Sequence, residues 1–201
     1  MNFLQRFFGL KKQVPSPPAA QFTFQPTPEM EESERKALLD MQEILEKLLL
    51  ESQLFHTEKI PLMMAKFRST QRPFQRMPSH KVLEGKTMLT VDEKKSLGLN
   101  TRMKYSHDFI ELCQIGRFKD TEPKAALDTI LLNAYHRSSR NKTIKELRLK
   151  EFVTGVKVVS MGCSAATKLD KIYALDQVPK LPADSCDEGC CMCYFEPVLK
   201  L

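Results

Sequence analysis

The sequence predicts an α+β fold that is mostly α-helical: a helical body followed by a small C-terminal lobe of strands and a cysteine knuckle. Three observations carry this. Apolar residues recur at steps of three and four through capped segments between residues 29 and 155. A β-branched run, Val156-Lys157-Val158-Val159, follows Gly155. Four of the six cysteines then fall within residues 186–193. A chain of 201 residues with 42% hydrophobic content can bury a real core, so wholesale disorder is not expected. We read four segments: an amphipathic arm (1–12), a Pro-rich linker (13–28), the helical body (29–155) and a Cys-rich metal-binding lobe (156–201).

The arm reads MNFLQRFFGLKK. Phe3, Phe7 and Phe8 fall with Leu4 and Leu10 largely on one side of a helix, with Arg6, Lys11 and Lys12 beside them. Such a segment can pack on the protein's own core, dock on a partner, or make peripheral membrane contact through residues 1–12. It lacks a long apolar centre and a small-residue cleavage site, so we expect no secretory signal and a cytoplasmic, reducing location, with membrane association through the arm as an added option. The linker holds five of the twelve prolines (15, 17, 18, 26 and 28), which prevents helix propagation.

Thr27-Pro28-Glu29 is a helix start, and Leu38, Met41, Ile44, Leu45, Leu48 and Leu49 continue a seam, predicting one long amphipathic helix over 29–54. Residues 60–84 read as irregular, broken by Pro61, Pro73 and Pro78. There Arg68, Arg72 and Arg76 interleave with Phe67 and Phe74. They can grip a partner or single-stranded nucleic acid, or the two Phe can anchor a loop while the arginines stay in water. Thr90 with Glu93 is a capping box opening a short helix before Gly98. Ser106 caps a segment with Phe109, Ile110 and Leu112, where Cys113 reads as a small buried hydrophobe.

Thr121-Glu122-Pro123 opens a helix with Ala126, Leu127, Ile130, Leu131, Ala134 and Tyr135 on its apolar face. Thr143 with Glu146 looks like a second capping box. This predicts two helices, 121–138 and 143–152, joined by Ser138-Ser139-Arg140-Asn141-Lys142. A helix-turn-helix of this kind would bring Lys145 and Arg148 to nucleic acid. Strands are expected at 156–161 and 171–175.

Charge is uneven within the net +6. Residues 31–60 carry four basic and eight acidic side chains, −4; residues 61–160 carry 20 and 10, +10. A basic middle section attracts phosphate, acidic protein or an anionic surface, or simply serves solubility.

Cysteine chemistry is concentrated at the end. Thiolates are soft ligands suited to tetrahedral zinc or an iron–sulfur cluster. Cys190 and Cys191 are adjacent and do not ligate one ion comfortably together, which favours Cys186, Cys191 and Cys193. Cys163, at a Gly162-Cys163 turn after the predicted strand, is the fourth ligand, with Cys190 as the alternative. The cofactor expected is Zn2+ in a closed structural site, with an iron–sulfur cluster or redox-active thiols as alternatives.

The tail Cys163-Ser164-Ala165-Ala166 … Val178-Pro179-Lys180-Leu181-Pro182 … Cys186-x4-Cys191-x-Cys193-Tyr194 resembles the C-terminal signature of a group of small, uncharacterised bacterial proteins. Those carry a Cys followed by small residues, a Pro-Leu-Pro stretch, then Cys-x4-Cys-x-Cys-x-Tyr. Here Tyr194 follows Cys193 directly. The resemblance spans about 30 of 201 residues. It singles out Cys163, Cys186, Cys191 and Cys193, implies a bacterial cytoplasmic protein, and carries no activity.

No Gly-rich phosphate loop, Gly-x-Ser-x-Gly, His-Glu-x-x-His or kinase signature is present, and the four His are scattered. The expected function is therefore non-catalytic: an adaptor or assembly protein with a structural metal site, acting through protein–protein contacts. The alternatives are a nucleic-acid-binding protein using residues 61–160, and a redox-sensing or iron–sulfur protein.

Overall fold

The computed structural model describes residues 25–118, 121–183, 186 and 191–200. The arm with Phe3, Phe7 and Phe8, most of the Pro-rich linker, and Cys190 lie outside the described residues. The α+β, mostly helical class is as the sequence predicts: six α-helices, two of them 25 residues long, and one three-stranded sheet among the described residues.

The first helix, α1 (Pro28–Ser52), begins where the cap chemistry requires. The Thr27 hydroxyl accepts from the Met30 N–H at 3.3 Å, Pro28 occupies the first turn, and Glu29 and Glu31 meet the positive end of the dipole. It ends at Gln53, which turns left-handed at φ 53°. Ala37, Met41, Leu45 and Leu49, spaced by four, are buried against the body.

The next segment departs from the sequence reading. Residues 60–70 form a helix, α2 (Ile60–Thr70), not an irregular stretch. Pro61 sits in the first turn, where its missing N–H has no intrahelical partner to lose, so it starts the helix rather than breaking it. Ile60, Met63, Met64 and Phe67 then fall at i, i+3, i+4 and i+7 and are all buried. Phe67 anchors as expected, whereas Phe74 is 43% exposed.

Helix α3 (Val91–Ser96) carries the full capping box. The Thr90 hydroxyl accepts from the Glu93 N–H, and the Glu93 carboxylate accepts from the Thr90 N–H at 2.7 Å. Ser106 caps α4 (His107–Ile110) through the Phe109 N–H, and the rings of Tyr105 and Phe109 stack inside the core.

A second correction concerns the expected helix-turn-helix. Residues 123–147 are one helix, α5 (Pro123–Leu147), running straight through the polar stretch read as a joint. Thr143 does not cap: its hydroxyl donates back to the Ser139 carbonyl at 2.9 Å, four residues earlier, as in a helix interior. The polar residues are tolerated because each finds a partner across the molecule. Ser138 Oγ donates to the Ala37 carbonyl at 2.6 Å, and buried Arg140 reaches two carbonyls of the C-terminal lobe. With one continuous helix there is no turn to aim a recognition helix. Leu149 and Phe152, expected in the second helix, lie beyond α5 and are 84% and 56% exposed.

The chain then enters β1 (Val153–Val159), three residues earlier than predicted. Gly155 lies inside the strand. A Cβ there would come within 2.6 Å of the Tyr173 carbonyl, so the close pairing requires glycine. After the four-residue helix α6 (Ser164–Thr167) comes β2 (Ile172–Tyr173), within the predicted 171–175. A further strand, β3 (Tyr194–Leu199), was not anticipated. The sheet is antiparallel in the order β2-β1-β3, with Val159 opposite Tyr194 and Val158 opposite Phe195.

Two hydrophobic cores result. One gathers α1, α2, α4 and the first half of α5; the other gathers Ile144 and Leu147 of α5 with β1, α6, Leu181 and Phe195. Helix α5 therefore belongs to both. No helix among the described residues is long and apolar enough to cross a membrane.

Candidate metal centre

The second core ends at its cysteines. Strand β1 delivers the chain to Gly162, whose φ of +97° only glycine adopts without strain, and the reversal places Cys163 at the start of α6. Its sulfur accepts from the Ala166 N–H at 3.4 Å. That amide, together with Cys186, the Ala165 N–H and Cys193, holds the Cys163 thiol below its ordinary pKa against the opposing effect of burial.

β3 supplies the other side. Pairing with β1 brings Tyr194 opposite Val159, which sets Cys193 and Cys191 beside the turn carrying Cys163. Cys163, Cys191 and Cys193 are each 1% exposed, and Cys186 is half-buried. The sulfurs of Cys163 and Cys186 are 3.4 Å apart. The Cys163 thiol also interacts with that of Cys193, and Cys193 with that of Cys191. Burial pushes the Cys191 thiol up, with the Cys193 side chain adding to the rise. None of these four described cysteines, nor Cys113, is joined in a disulfide.

The spacing can be compared with two chemistries. A disulfide holds its sulfurs about 2.05 Å apart, far closer than this pair. A tetrahedral zinc site with Zn–S bonds of about 2.3 Å has S···S edges of about 3.8 Å. The Cys163–Cys186 distance is a few tenths of an ångström short of that edge. No group of three or more His, Cys, Asp or Glu among the described residues is arranged to hold a metal ion.

Arg140 was missed as part of this centre by the sequence reading. It is 7% exposed, and Nη1 donates to the carbonyls of Cys191 at 3.0 Å and Cys193 at 3.1 Å. One side chain of α5 thus fixes the backbone of the last two cysteines. Its charge also favours a thiolate at Cys191. A lone Arg in a polar run at a helix's middle carries no sequence signal for this role.

The other predicted site residues separate. Cys113 lies in the first core, far along the chain from the cluster; burial pushes its thiol up to about 12, and the thiol donates to the Phe109 carbonyl at 3.3 Å. Arg68 and Arg72 are exposed: Arg68 pairs with Glu46 at 3.1 Å, and Arg72 donates to the carbonyls of Ser69 and Gln71. Arg76 is not on that surface. It is 8% exposed, paired with Glu34 at 3.0 Å, hydrogen-bonded to Ser138 and set over the Tyr135 ring. No protein family, curated protein or solved structure matches the chain.

Proposed function

We propose that this chain is a non-catalytic adaptor or assembly protein whose C-terminal lobe is held by a structural zinc ion on Cys163, Cys186, Cys191 and Cys193. The observation that carries the proposal is that Cys163 is brought together with Cys186, Cys191 and Cys193, more than 20 residues further along the chain, with the Cys163 and Cys186 sulfurs 3.4 Å apart. Charge balance supports it. Zinc with four thiolates bears a net charge of −2, and the buried Arg140 guanidinium and the Ala165 and Ala166 amides stand beside these sulfurs to offset it. A site with four protein ligands leaves no open position for a reacting group, which favours a structural role. Met161, Ile172, Met192 and Leu199 of the lobe, with Phe152 just before it, are each at least half exposed and are the apolar side chains it offers a partner. Arg68 and Arg72, with Phe3, Phe7 and Phe8 of the arm, are the further partner-binding candidates.

Elemental analysis of protein purified under reducing conditions without added metal tests the centre. About one zinc per chain is expected, from the four-ligand stoichiometry. Iron with a visible chromophore would move the assignment to a cluster. Absence of metal together with disulfides among these cysteines would overturn it in favour of redox-active thiols.

A further inference from the structure

Helix α5 and the cysteine lobe leave a cleft of about 270 Å3 between them. Its apolar lining is Ile144, Leu181 and Phe195, the residues that close the second core, with half-buried Val178. Its polar lining is Arg140, Lys145, Arg148 and Lys180, with Asn141 and no acidic residue. The cavity between α1 and α5 is different in kind, with Glu29, Glu32, Asp40 and Glu146 facing Lys36, Lys142 and Lys145.

The cations come from both walls. Lys145 and Arg148 belong to α5 or its end, and Lys180 to the loop opposite; all three are exposed. Arg148 is held in place, donating to the Leu175 carbonyl from Nε at 3.1 Å and Nη2 at 2.9 Å. Arg140 also lines the cleft, but its guanidinium is engaged with the Cys191 and Cys193 carbonyls. Like charges brought together around one cleft raise its positive potential, which a divalent phosphate relieves better than a carboxylate does. Ile144, Leu181 and Phe195 are largely buried and give the cleft a limited apolar surface, and its volume is just below the usual range of ligand sites.

We propose that this cleft binds a nucleotide, its phosphate between Lys145, Arg148 and Lys180 and its base against Ile144, Leu181 and Phe195. The same chemistry is offered by a free nucleotide and by one unit of a single-stranded nucleic acid. The proposal goes beyond the metal assignment and does not depend on which ion the cysteines hold.

The test uses the full chain as purified, in low salt, with labelled ADP in equilibrium dialysis and a labelled oligothymidylate in fluorescence anisotropy. Two charge-reversal pairs are compared: Lys145→Glu with Lys180→Glu in the cleft, and Lys86→Glu with Lys104→Glu, equally exposed lysines outside it. The expected result is saturable binding of at least one probe, weakened about tenfold or more by the cleft pair and less than about twofold by the control pair. Binding of ADP assigns the free nucleotide as source; binding of the oligomer alone assigns the nucleic acid. No saturable binding of either probe, equal losses in both variants, or binding unchanged by the cleft pair would overturn the proposal. Circular dichroism of each variant establishes that a loss is not a loss of fold.

Discussion

Arg76 shows how far a residue's neighbours can outweigh its type. In sequence it is the third of three arginines in a Pro-broken stretch. In the fold it is buried between α1 and α5, where its guanidinium meets Glu34. Burial alone would raise the Glu34 pKa, but the Lys142 hydrogen bond and the charges of Arg76 and Lys142 hold the carboxyl below its usual range. Removing one partner of a buried pair leaves the other charge poorly solvated, so Arg76→Ala is expected to cost about 2–4 kcal/mol in urea unfolding. Arg72→Ala, at an exposed site, should cost less than about 0.5 kcal/mol. Equal, small effects would show that Glu34 is satisfied by Lys142 alone. Cys113 makes a pH prediction. Its folded thiol is pushed up to about 12 while the unfolded thiol ionises near pH 8.5. A raised folded pKa stabilises fully below the unfolded value and is lost as pH rises. Stability should therefore fall from about pH 8.5 up to about pH 12 by up to about 1.4 kcal/mol per unit from this group. Cys113→Ala should flatten that slope, whatever it does to stability at neutral pH; an unchanged slope would assign the alkaline loss to other groups.

At the scale of an element, the two capping boxes read from sequence are chemically alike and behave differently. Thr90 makes both reciprocal bonds of the motif, so Thr90→Ala should cost about 1 kcal/mol. Thr143 lies in the interior of α5 and bonds to Ser139, so Thr143→Ala should change stability by less than about 0.5 kcal/mol. Chemical denaturation of the two variants distinguishes them; a larger loss at Thr143 would mean that a helix begins there. A Ser/Thr with Glu three residues on marks a helix start only where the preceding backbone is extended. Inside α5 that backbone is already helical because Ser138 and Arg140 are satisfied by distant partners.

For the whole molecule, α5 is the shared wall of two cores, and the cysteine cluster belongs to the second. Metal binding would then be folding energy for one lobe and not for the other. Chelation should open residues after about 160 to protease while leaving the α1–α5 body protected, as should Cys163→Ser, Cys191→Ser or Cys193→Ser. Arg140→Gln should give the same cleavage pattern, because it releases the Cys191 and Cys193 carbonyls. Cleavage spread evenly over both cores would show that the molecule unfolds as one unit.

The fold class, α1, the cap of α3 and the helical start at Pro123 were legible in the sequence, where the four cysteines also stood out as candidates. Each depends on interactions within a few residues: periodicity, a side chain reaching its own backbone, or the chemistry of clustered thiols. What remained hidden depended on partners distant in the chain. Pro61 begins α2 because Met63, Met64 and Phe67 have a core to enter. The polar stretch 138–142 stays helical because Ala37 and the cysteine carbonyls accept its donors. Tyr194–Leu199 becomes a strand because β1 offers an edge. Sequence determined which residues could carry the chemistry; only the tertiary structure decided which polar groups are satisfied, and hence that Arg76 and Arg140 are interior residues and that Cys163 meets the C-terminal tail.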